Sequence, residues 1–204
     1  MLVICKHLFI PTVLFSSAIA QWENLYSQDH SLEKGKILQK LPTLPKEWKL
    51  SFELMPTGFL TDVWGNVIHV GDPQLFGTTH NYHDMPSIYI GNDCHCNQPK
   101  VLRFHYHANG VIGTRNTNTP QLNQWTKIEV SQLLVANQYR LTFSVNGFKV
   151  GSDLNRSPQE FKDVNLYASS PSYNAQWGKI KNLVISRPRP GVYFVHIASY
   201  IMSQ

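Results

Sequence analysis

The chain has 204 residues, 42% of them hydrophobic and 12% aromatic, which is enough to fill one core and excludes wholesale disorder. The formal charge is +5, a surplus that mildly favours acidic partners. Charged residues are only 15% of the chain and no Lys/Arg run reaches five, which argues against nucleic acid as a partner, since that needs clustered basic residues beside stacking aromatics.

Residues 1–20 form an apolar run around Lys6, closed by the small-x-small pattern Ala18-Ile19-Ala20 of signal cleavage. The run is short for a membrane helix of about 20 residues and carries Lys6, His7 and Pro11. The expectation is a signal peptide over 1–20, a secreted, extracellular mature chain and no membrane span within it; an uncleaved anchor or a buried strand are the alternatives. Residues 21–35 are polar and read as a lead-in to a domain over 36–188, with a C-terminal tail over 189–204.

Within that domain ILQKL (37–41) could be a strand, ended by Pro42 and Pro45. WKLSFELMP (48–56) alternates, with Trp48, Leu50, Phe52 and Leu54 on one face and Lys49, Ser51 and Glu53 on the other, the two-residue period of a half-buried strand. VIHV (67–70) and PSIYIG (86–91) are further strands, rich in β-branched and aromatic residues. VLRFHYHA (101–108) sets Leu102, Phe104 and Tyr106 against Arg103, His105 and His107, then turns at Asn109-Gly110 into VIGTR (111–115). WTKIEVSQL (125–133) alternates too, with Trp125 expected to close the interior. YRLTFSV (139–145) places Tyr139, Leu141, Phe143 and Val145 inward and turns at Asn146-Gly147. VNLYAS (164–169) and GKIKNLVISRP (178–188) complete the count. No segment keeps a helical period. Each alternating strand needs cover on its apolar face, and a second sheet supplies it, so the expected fold is an all-β sandwich of two antiparallel sheets.

The order LPKEWKLSFEL, LNQWTKIEV, YRLTFSVNG, VNLYAS, GKIKNL resembles concanavalin A-like, laminin-G-like jelly rolls over about residues 36–186, and also secreted single-module proteins of aquatic invertebrates. The resemblance implies a jelly-roll sandwich. It also implies binding of carbohydrate or matrix proteins, in some relatives with calcium, or in others cleavage of polysaccharides; the fold alone chooses none of these. Two departures weigh against calcium and cleavage: no E-x-D-x-E run is present, and no Cys lies beyond residue 96.

Candidate site residues gather in GDPQLFGTTHNYHDMP (71–86). Asp72, Asn81 and Asp84 offer hard oxygen ligands for calcium without a recognised spacing, and no other cofactor is called for. Tyr82 and His83 could contact a sugar there. His105 and His107 share a strand face and could hold a metal if His95 or Cys94 approached; otherwise they are outer-face polar residues. Trp64, Trp125 and Trp177 could stack on sugar rings or fill the core, and Trp64 joins the ligand-binding set. Glu53 with Asp62, or Asp72 with Asp84, could flank a glycosidic bond or be solvated carboxylates. Cys94 and Cys96 could be free, strained together, paired with another chain or metal-bound. Asn155-Arg156-Ser157 is an N-glycosylation pattern.

The functional expectation is a secreted, non-enzymatic module binding a glycan or an extracellular matrix protein. The surface would be a concave sheet face or the rim of residues 72–84 and 92–97. The alternatives are a polysaccharide hydrolase or lyase on the same fold, and a structural protein that self-associates.

Overall fold

A computed structural model describes residues 21–61, 63–71, 85–92 and 100–187. The described residues are all-β. The strands are β1 (Gln21–Tyr26), β2 (His30–Ser31), β3 (Ile37–Leu44), β4 (Trp48–Pro56), β5 (Gly65–Gly71), β6 (Ser87–Gly91) and β7 (Val101–Ala108). They continue as β8 (Val111–Asn118), β9 (Thr126–Val135), β10 (Gln138–Val145), β11 (Phe148–Asn155), β12 (Phe161–Tyr167), β13 (Asn174–Ala175) and β14 (Gly178–Arg187). Among them no helix is long and apolar enough to cross a membrane.

The strands form two sheets. The first runs β1-β14-β4-β9-β10-β11, with β2 beside β14; the second runs β3-β12-β5-β6-β7-β8, with β13 beside β5. The chain passes between sheets after β2, β3, β4, β8, β11 and β13, the crossing pattern of a jelly roll. Ladders are antiparallel except β13 on β5.

The alternation dictates the packing. Leu50, Phe52 and Leu54 of β4, Ile128 and Val130 of β9, and Leu141 and Phe143 of β10 are all at most 1% exposed and meet Ile88, Ile90, Leu102 and Phe104 of the opposite sheet. Phe104 and Phe143 touch across the layers with ring centroids 5.2 Å apart. Each such side chain contributes about 1.5–3 kcal/mol by leaving water. Asn109-Gly110 (φ 56° and 77°) and Asn146-Gly147 (φ 51° and 81°) adopt the left-handed pairs that two-residue hairpins require.

Three expectations are corrected. Pro42 does not end its strand: β3 continues to Leu44, because it is an edge strand whose ladder to β12 skips Pro42. The lead-in 21–35 supplies β1 and β2, both paired with β14. Trp125 does not close the interior: it is only half-buried, and Lys181 Nζ lies 4.1 Å from the centroid of its ring. Thr126 takes the inward position instead. The signal segment 1–20, Cys94, Cys96 and the tail 189–204 lie outside the described residues.

Candidate site on the outer face of the second sheet

The inward residues of β6 and β7 are Ile88, Ile90, Leu102 and Phe104, so Ser87, Tyr89, Arg103, His105 and His107 must point outward. Register then lines up one row across five strands: Tyr167, His69, Ser87, His105 and Thr114. A second row holds Asn66, Tyr89, Arg103 and Asn116.

One half of this face is covered. Asn66 is fully buried, and its Nδ2 donates to Ser87 Oγ (3.0 Å) and Ile88 O (3.2 Å) while its Oδ1 accepts from Ser170 N (2.6 Å). His69 Nδ1 lies 3.0 Å from Ser87 Oγ, and Asn165 Nδ2 donates to the Tyr167 hydroxyl at 2.8 Å. The segment after β12 is thereby tied onto the sheet, and it brings the ring of Tyr173 edge-on to Tyr89, with centroids 5.2 Å apart. Paired in this way, the buried polar groups escape the cost of desolvation without a partner.

The other half is open. Asn116, Thr114 and Tyr173 are exposed, and Trp64, Arg103, His105 and His107 are half-buried. The Arg103 guanidinium carbon stands 4.0 Å from the centroid of the Trp64 ring, while its Nε donates to Asn116 Oδ1 at 2.9 Å. Trp64 rests on Gly91, where a Cβ would stand 2.7 Å from the indole. His105 lies against Tyr89, with ring centroids 5.0 Å apart and planes at 55°. The result is a shallow strip in which the rings of Trp64 and Tyr173 are interleaved with Arg103, His105 and Asn116, while Tyr89, 3% exposed, supports His105 and Tyr173 from beneath. Apolar ring faces beside fixed hydrogen-bond donors and acceptors suit a small polyhydroxylated ligand.

Of the residues expected at a site, Trp64, His105 and His107 stand on this face, and Asp72, Asn81, Tyr82, His83 and Asp84 lie outside the described residues. Among the described residues no three His, Cys, Asp or Glu converge as metal ligands; His95 and Cys94, offered as a third ligand, lie outside them. Glu53 is on the outer face of the first sheet, engaged by Asn182 Nδ2 at 2.7 Å and Lys181 Nζ at 3.7 Å, and its suggested partner Asp62 is not described. Trp177 is 57% exposed and packs over Gly58 rather than in the core. Asn155 is 5% exposed, and the amide nitrogen that would carry a glycan donates to Gln132 Oε1 at 2.7 Å.

Sequence reasoning passed over Arg103, Tyr89, Asn116 and Tyr173. The signal for the first two was available: PSIYIG and VLRFHYHA alternate, so identifying the inward isoleucines and leucines also identifies Tyr89 and Arg103 as outward. Asn116 and Tyr173 gave none, since each arrives through register or through a loop.

No family model and no curated protein matches the chain. Among solved structures it is similar to the native heptameric SAP-like pentraxin from Limulus polyphemus, at 12% identity and TM-score 0.49, covering 80% of this chain and 71% of that one. It is similar to the galectin LEC-6 of Caenorhabditis elegans, at 13% identity and TM-score 0.43, covering 78% and 96%. It is also similar to the marine alginate lyase AlyA1 from Zobellia galactanivorans, at 12% identity and TM-score 0.43, covering 71% and 65%. The fold itself is read from this chain's own strand order: an all-β sandwich of two sheets between which the chain crosses repeatedly.

Proposed function

We propose that this chain is a secreted, non-enzymatic carbohydrate-binding module that takes its glycan on the open half of the second sheet's outer face. The observation that carries the reading is the Trp64–Arg103–Asn116 arrangement beside the Tyr89–His105 pair. Arg103 is stacked and hydrogen-bonded at once, so its fork is pre-oriented and loses little freedom on binding. The strip is shallow, so single contacts are weak and affinity grows with repetition.

A glycan array on the mature chain tests this, followed by titration of the best sugar. Arg103→Ala and Trp64→Ala are each expected to weaken binding about ten-fold or more, the scale of one lost charged or stacking contact, while circular dichroism stays unchanged. A sugar bound equally well by wild type and both variants would refute the site. Cleavage is tested on the same sugar by following reducing ends and the ultraviolet absorbance of an unsaturated product. Turnover that His105→Ala abolishes would replace the non-enzymatic reading with a lyase.

A further inference from the structure

The outer face of the first sheet has a different character. Registers align Lys181, Glu53 and Lys127 in one row, then Ser51, Glu129, Ser144 and Lys149, then Ser186, Lys49, Ser131, Thr142 and Ser152. Lys179 lies two residues from Lys181 along β14, and Arg140 of β10 reaches Ser152 Oγ at 3.5 Å. Among the described residues this face carries six cations, Lys49, Lys127, Arg140, Lys149, Lys179 and Lys181, against two carboxylates. Both carboxylates are already engaged: Glu129 by Lys49 at 2.6 Å and Lys127 at 3.4 Å, Glu53 by Lys181 and Asn182. The surplus of four positive charges on one face is nearly the whole formal charge of the chain, +5.

We infer that this face binds a linear polyanionic polysaccharide. The cations span five neighbouring strands, about 19 Å at the usual inter-strand spacing, so a single small anion reaches one or two of them while a charged polymer meets them in succession. Hydroxyls of Ser131, Thr142 and Ser144 stand between the amines as hydrogen-bond partners for sulfate, carboxylate or sugar oxygens. The three rows hold one apolar side chain, Val184, with Leu133 beside Arg140 and Trp125 under Lys181 at their margins, scattered rather than gathered into the apolar centre through which proteins dock. The site is separate from the strip on the second sheet and does not rest on it.

The test is titration of the mature chain with dextran sulfate and with a polyuronate over increasing salt, with neutral dextran and a single-stranded oligonucleotide as controls. Either polyanionic glycan binding, with neutral dextran inert, supports the proposal and tells sulfate from carboxylate. The triple variant Lys49→Gln, Lys127→Gln, Lys181→Gln should weaken binding about ten-fold or more and flatten the salt dependence by about two to three counterions. A charge-matched triple off this face, Lys34→Gln, Lys40→Gln, Lys162→Gln, should stay within about two-fold of wild type, since distant charges are screened beyond about 10 Å. Should the first triple fail to fold, the double variant Lys149→Gln, Lys179→Gln, which touches neither Glu53 nor Glu129, is expected to lose about three-fold. Equal losses in the two triples, no loss in the face variants, no binding of either polyanion, or an oligonucleotide bound as tightly as the sulfated polymer would each overturn the proposal.

Discussion

The hydroxyl of Tyr106, on β7 of the second sheet, donates to the carboxylate of Asp153, on β11 of the first. Arg115 of β8 closes on the same carboxylate, with Nε 3.0 Å from Oδ2 and Nη2 2.5 Å from Oδ1. Three groups thus join the two sheets along the side where β8 and β11 are both edge strands. Tyr106 is 6% exposed, so the bond has little water to fall back on. Tyr106→Phe should destabilise the chain by about 1.5–3 kcal/mol, the range for a hydrogen bond to a charged group, as a lower urea midpoint at unchanged slope. An unchanged midpoint would mean that the clasp contributes nothing net.

The same clasp dictates a pH dependence with two limbs. Hydrogen bonds from Arg115 hold the Asp153 carboxyl below its ordinary value, so its stabilisation is full above about pH 4, the unfolded value. It is lost as pH falls through the lower folded value. Burial, with Asp153 second, pushes the Tyr106 hydroxyl up to about 12, so its contribution is full below about pH 10 and declines as pH rises from there towards 12. Urea midpoints across pH should show Asp153→Asn flattening the acid limb and Tyr106→Phe the alkaline one. Limbs that persist in both variants would assign the titration elsewhere.

Gly91→Ala should separate binding from folding. The added Cβ would meet the Trp64 ring at 2.7 Å and its Cα at 3.1 Å, so Trp64 must leave its seat and Arg103 loses its stacking surface. Glycan affinity should fall about ten-fold, comparable to Trp64→Ala, with the fold retained by circular dichroism. Undiminished affinity would show that the seat of Trp64 is immaterial.

Phe143 touches both Phe104 and Tyr106 across the sandwich, at ring separations of 5.2 and 4.9 Å. Phe143→Ala should cost about 3–5 kcal/mol, read as a lower thermal midpoint. A loss under about 1 kcal/mol would mean the interior repacks freely around the gap.

Asn155 is expected to stay unmodified in a glycosylating host, with an intact mass that carries no glycan increment, because its amide nitrogen is held by Gln132 and its Oδ1 accepts from Asn109 N and Ser157 N. Asn155→Asp should destabilise by about 1–3 kcal/mol by orphaning Gln132 Oε1. A full-occupancy glycan on a folded, secreted chain would contradict this.

Much of the sandwich was legible because burial imposes a period of two: the inward sets of β4, β7 and β10 could be named residue by residue. Turns were legible where chemistry forces them, as at Asn109-Gly110 and Asn146-Gly147. The hairpin at Ala136-Asn137 (φ 48° and 62°) was not, because alanine carries no left-handed preference and the pairing of β9 with β10 overrides it. The site was only partly legible. Outwardness follows from alternation, but which outward residues meet depends on strand order, and Tyr89, Arg103 and Asn116 become neighbours only when β6, β7 and β8 lie side by side. Asn155 misled for a related reason: a three-residue pattern cannot show that Gln132, 23 residues away, will occupy its amide.

Gln21 faces Arg187 in the ladder between β1 and β14. The first described strand to leave the ribosome therefore has no neighbour until the last has been made, and β14 must in turn find β4 over a separation of more than a hundred residues. Synthesis runs ahead of assembly: until translation has passed Arg187 the nascent first sheet lacks its β14 partner, and the apolar side of β4 waits beside an unclosed seam. Such long-range closure makes for slow maturation, in which the join between β1 and β14 is among the last to seal.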